Sequence, residues 1–245
     1  MIFTALLAAA LAATQPPPGR VAVPAGSYVP LYAATPATRV HVDGFRMDRE
    51  PVTRADFLRF VRAAPAWRRA GANATQSEAG YLDDWRTPLD PGVETLRQPV
   101  TDVSRNAAAA YCAWRGARLP TTDEWEYGAA ASGTRRDASH DAAFAAHLVT
   151  LYSARAGRPV QPVGSARPNA FGVSHLHDLV WEWTAAPPSH AMPGMTMAPA
   201  EHMACAAASD GAADPSNYAA FLRYAFRSGL SDRSTVHSLG FRCVA

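Results

Sequence analysis

The densest group of metal-seeking side chains in the sequence is His190, Met192, Met195, Met197, His202, Met203 and Cys205. Four of the six methionines fall in this stretch, and Glu201 is the one charged residue among them. Thioether, imidazole and thiol donors form a soft set that suits Cu(I) and disfavours oxygen-seeking cations. Pro193 and Gly194 break any helix, so the Met-x-x-Met and Met-x-Met spacings fall on an extended loop able to wrap a cuprous ion. The same residues equally describe an adaptable apolar plug over a core, or a sticky partner surface. His175 and His177 lie two apart on a strand-like stretch, where both would face one side. As a pair they are weak ligands and read as well as ordinary core or surface histidines.

Other chemistries are excluded by composition. All 23 basic residues are arginine, with no lysine anywhere in the 245-residue chain. Lysine Schiff bases, lysine general bases and phosphate-loop lysines are therefore ruled out. The net charge of +2 has no basic cluster behind it, which argues against a nucleic-acid partner.

The elements that would carry these residues begin after an apolar run from Ile2 to Ala13 ending in Ala10-Leu11-Ala12. That small-x-small ending reads residues 1–14 as a signal peptide, although nothing basic precedes the run, and the run is too short to span a bilayer. Residues 15–20 form a proline-rich leader, and 21–245 the mature domain, expected to be periplasmic or secreted. Three helices are signalled. The first starts at the capping box Thr53-x-x-Asp56, buries Phe57, Phe60, Val61 and Ala64, and stops at Pro65. The second follows Ser104, turns Ala107, Ala108, Tyr111 and Cys112 inward, and ends at Gly116. The third opens at Thr121-x-x-Glu124, carries Trp125 and Ala129, and ends near Gly133. Strands are expected at 39–42, 180–183, 223–227 and 240–244. Few regular elements and six tryptophans predict an irregular α+β domain held by aromatic packing and loop hydrogen bonds. Trp125 reads as a core anchor. Trp181 and Trp183 would alternate with Glu182, giving one packed and one polar face, and Glu182 is either a metal ligand or a buried hydrogen-bonded carboxylate.

Several strings, taken in order, carry a resemblance: Glu50-Pro51-Val52-Thr53, the stretch from Pro99 to Ser104, Arg118-Leu119-Pro120-Thr121-Thr122-Asp123-Glu124-Trp125-Glu126, Asn169-Ala170-Phe171-Gly172, Val180-Trp181-Glu182-Trp183 and Leu239-Gly240-Phe241-Arg242-Cys243. Together they closely resemble the formylglycine-generating enzyme (sulfatase-modifying factor) family over residues 20 to 245. The resemblance implies a single irregular α+β domain of C-type-lectin-like fold, low in regular secondary structure. It also implies a disulfide between Cys112 and Cys243, leaving Cys205 as the odd thiol.

Two departures bear on activity. Aerobic members of that family oxidise a substrate cysteine with copper held by two cysteines five positions apart. Counting back from Arg227-Ser228 places those positions at Ala219 and Tyr224, and no cysteine occurs between 206 and 242. Calcium is also in doubt. The family carries Gly-Asn before Val-Trp-Glu-Trp, whereas Asp178-Leu179 stand here, leaving Asp178 and Glu182 as weak calcium candidates. Whether any catalysis remains is open. The leading expectation is an exported accessory or binding protein that handles copper or docks on a periplasmic metalloenzyme, since the run from Asp214 to Ser228 also resembles family members that accompany copper nitrite reductases. One alternative is an oxidoreductase using Cys205 and the Met/His loop as a copper centre. Another is a lectin-like ligand-binding module.

Overall fold

The structure is a computed structural model and describes residues 19–31, 38–72, 75–155, 157–185 and 218–245. The signal-peptide reading, most of the leader and the whole His190–Cys205 group lie outside the described residues.

Near the N-terminus, β1 (Arg20–Val23) pairs antiparallel with β4 (Phe45–Asp48), and β2 (Gly26–Tyr28) with β3 (Val40–Val42). Three helices then follow as the sequence predicts. In α1 (Arg54–Ala63) the Thr53 hydroxyl accepts from Asp56 N–H while the Asp56 carboxylate accepts from Thr53 N–H at 3.1 Å, closing the box before Pro65 ends the helix. Ser104 caps α2 (Arg105–Trp114), and Gly116 leaves it at φ +64°, where a side chain would be strained. The third helix, α3 (Thr122–Ala129), carries the second capping box.

The last two strands, β5 (Trp181–Glu182) and β6 (Leu239–Gly240), run parallel with Trp181 opposite Leu239. The chain then threads between Arg46–Asp48 and Arg118: Asp48 N–H donates to Cys243 O, and Val244 exchanges hydrogen bonds with Arg118. A Cβ on Gly240 would lie 2.7 Å from the Val100 carbonyl oxygen, so only glycine passes there.

Aromatic rings build the larger core. Phe57 stacks on Tyr111 at 5.7 Å, Phe241 meets Tyr111 edge-on at 5.3 Å, and Val52, Val61, Val100 and Leu239 fill in around them. A second cluster packs Trp125, Tyr127 and Phe171 under β1–β4. The Cys112–Cys243 disulfide joins α2 to the C-terminal strand across 131 residues, with a Cα–Cα distance of 5.6 Å.

Three expectations are corrected. Residues 223–227 are not a strand; they belong to α5 (Tyr218–Ser228). Ala219, Ala220 and Arg223 are buried together at helical spacing, so the stretch packs one helical face inward. The alanine-rich α4 (Ala142–Arg155), started by Asp141 accepting from Ala143 and Phe144 N–H groups, was not foreseen. Finally, Trp181-Glu182-Trp183 has no polar solvent face, because Glu182 is buried beneath it.

Candidate functional site

Helix α5 occupies the position where the resemblance places redox chemistry, and its side chains form an ion web instead. Arg223 is buried and donates through Nε and Nη2 to Glu126 of α3, the shorter contact being 2.6 Å. One turn on, Arg227 donates to the same carboxylate at 2.5 Å. Burial alone would push Glu126 up, but the two guanidinium groups hold its carboxyl down at about 2. Arg227 also lies over the Trp125 ring, 4.5 Å from its centroid.

A hydrogen-bond chain leads away from Arg223. Its Nη1 donates to the Tyr152 hydroxyl at 3.0 Å, and Tyr152 lies 2.8 Å from His177 Nδ1. The other imidazole nitrogen is 3.0 Å from the Ala129 carbonyl, which only accepts. His177 Nε2 therefore carries the proton, and Nδ1 accepts from tyrosine. Burial and the nearby Arg223 charge hold His177 neutral, its pKa lowered to about 3. Beside the web lies a narrow cleft lined by Tyr28, Asp123, Glu126, Leu148, Arg223 and Tyr224, among others.

The family's copper positions do not fit a copper ion. Ala219 is fully buried against Leu148 and Tyr152, and Tyr224 lines the cleft. Neither side chain is a soft donor, so these two positions supply no ligand for a cuprous ion.

The calcium candidates are separated by their partners. Arg242, fully buried, donates to both Glu182 oxygens at 2.7 Å, and Trp125 Nε1 adds a third bond at 2.7 Å. Asp178 instead accepts from His175 Nδ1 at 2.9 Å, while His175 Nε2 accepts from Gly164 N–H. His175, at φ +60°, and His177 thus bond to different partners, His177 to Tyr152 and the Ala129 carbonyl. A carboxylate saturated by arginine and indole does not fit a cation, and Leu179 supplies no oxygen from its side chain. A different trio converges across the fold: Asp84, Asp102 and His237 offer ligand atoms within 4.8 Å of one another. Arg54 pairs with Asp84, and His237 Nδ1 with Asp102 at 2.9 Å. Sequence reasoning did not single out this trio, nor Tyr152, Arg223 and Arg227 as a web around Glu126, because their members lie far apart along the chain.

With this geometry in view, comparison settles the class. The sulfatase-modifying factor enzyme 1-like domain matches residues 8–245, and the chain belongs to that family. The chain is 30% identical to the inactive C-alpha-formylglycine-generating enzyme 2 of Mus musculus, covering 86% of this chain and 78% of that protein. It is 29% identical to the formylglycine-generating enzyme of Mycobacterium tuberculosis, covering 86% and 90%. Similarity to hercynine oxygenase of Mycolicibacterium smegmatis is 35% but spans 62% of this chain and 39% of that protein. In fold the chain resembles PvdO from Pseudomonas aeruginosa, with TM-score 0.52, 21% identity, and 92% and 93% of the two chains covered. Among the described residues no helix is long and apolar enough to cross a membrane.

Proposed function

We propose that this chain is an exported, non-oxidising member of the family, an accessory or binding protein whose His190–Cys205 loop takes up Cu(I). The carrying observation is the sealed α5: alanine and tyrosine stand at the two copper positions, and arginines lock the helix onto Glu126. Similarity to a relative named inactive supports the same reading. The docking partner suggested by the sequence is a periplasmic metalloenzyme, and the loop's thioethers, which do not titrate, suit an oxidising compartment.

The test has two arms. Incubation with copper, oxygen and a Cys-x-Pro-x-Arg peptide should yield no aldehyde by mass spectrometry; turnover comparable to an authentic formylglycine-generating enzyme would overturn the non-oxidising reading. In competition with a cuprous chelator, single methionine changes should weaken copper binding little. Replacing Met192, Met195, Met197 and Met203 together should weaken it strongly. Equal binding by the quadruple variant and the parent would overturn the copper reading.

A further inference from the structure

At the C-terminal end of α4 the chain builds a second cleft, open to solvent, that the copper reading does not use. Its walls come from three places: Arg155 with the 157–160 turn, Leu179 and Trp181, and the segment Val236–Ser238. Arg155 is the unusual member. Its guanidinium lies 3.9 Å from the Trp181 ring centroid and 4.9 Å from that of Tyr152. Nη1 donates to the His177 carbonyl oxygen, whereas Nη2 is shielded from solvent and has no hydrogen-bond partner among the described residues.

Other buried arginines of this fold have carboxylates: Arg223 has Glu126, Arg242 has Glu182, and Arg115 has Asp48. Among the described residues Arg155 has none. The carboxylates facing it, Asp178 and Glu182, are committed to His175 and Arg242. The remaining charged and titratable lining groups are Arg158, His237 and Tyr152, and no acid among the described residues contributes to the wall. A desolvated guanidinium without a counter-charge, stacked on aromatic rings, is an arrangement that an incoming anion would complete. Burial accordingly lowers Arg155 to about 10, the direction expected for an uncompensated cation.

We infer that this cleft binds a small organic carboxylate, its charged end on the Arg155 guanidinium and its apolar body against Val160, Leu179 and Val236. Because Nη2 is shielded, the bound state requires Arg155 to swing outward along the Trp181 face. The apolar walls select a carboxylate with a hydrocarbon body over a bare inorganic anion.

The probe is benzoate, compared with acetate and inorganic phosphate, titrated into the full chain. Binding is read by tryptophan fluorescence and by the 15N side-chain resonance of Arg155, which needs no variant. Benzoate should shift that resonance and bind more tightly than acetate or phosphate. Arg155→Met, which keeps the stem against Trp181, should weaken benzoate by about tenfold or more, from loss of a charged hydrogen bond, with folding checked by circular dichroism. An unmoved Arg155 resonance, equal binding by the folded variant, or phosphate binding as tightly as benzoate would each overturn the inference. Copper binding is read on the methionine variants and benzoate binding on Arg155, so the two readings fail independently.

Discussion

Arg242 shows how much one side chain can hold. Besides the two Glu182 oxygens, its guanidinium donates to the carbonyl oxygens of Asp48, Arg49, Ser174 and His175, so it ties the β4 end, the 174–175 loop and β5 to the C-terminal strand. Such a pair is costly to break, because the surviving partner stays charged without water. Glu182→Gln should therefore lower unfolding free energy by about 3–5 kcal/mol in urea titration, while Asp178→Asn, on a half-exposed carboxylate, should cost under about 1 kcal/mol. Calcium should not act through Glu182; a rise in the parent's Tm with calcium that Glu182→Gln abolishes would contradict the role of Glu182 as an arginine partner. At this scale the sequence left Glu182 open between ligand and buried carboxylate, since the choice is made by Arg242, sixty positions away.

At the scale of elements, the capped helices were legible because capping is local: Thr53 and Asp56, or Thr121 and Glu124, sit three apart and satisfy each other's backbone. The short β1, β2 and β4 were not, because their pairing partners are distant in sequence and their runs are only three or four residues long. Helix α4 was missed although Asp141 and the alanine-rich run behind it are a local signal, and α5 was missed because residues 223–227 alone are short enough to pass for a strand. The packing of α5 on α3 and α4 carries a pH signature. His177 has a folded pKa of about 3 against an ordinary 6.5, so the unfolded chain binds more protons between those values. Its contribution is complete above pH 6.5 and is lost as pH falls toward 3, at up to about 1.4 kcal/mol per unit. Glu126, lowered from 4.5 to about 2, adds a second loss as pH falls through that window. Urea midpoints should drop steadily on acidification below pH 6.5, and His177→Gln, which cannot take the proton, should flatten the drop between pH 6 and 4.5. A parent curve flat across that interval would show that His177 is not held neutral.

For the whole molecule, the disulfide closes most of the domain into one loop. By chain-entropy reasoning a crosslink over 131 residues is worth about 3–5 kcal/mol. Thiol titration of the denatured, unreduced protein should return one thiol, from Cys205, and reduction should lower stability by that amount; three thiols before reduction would mean the crosslink does not form. The family resemblance gave this pairing and the irregular α+β architecture, whereas cysteine counting alone could not choose among three thiols. The C-terminal threading has a further consequence for biosynthesis. Val244 bridges both Met47 and Arg118, and Leu239 pairs with Trp181, so residues 239–244 emerge from the ribosome after every segment they join. Until then the central seam lacks its middle thread, and the nascent polypeptide has long-range pairings it cannot yet make. The seam and the Cys112–Cys243 crosslink therefore close in one late step, once every segment they join has been made.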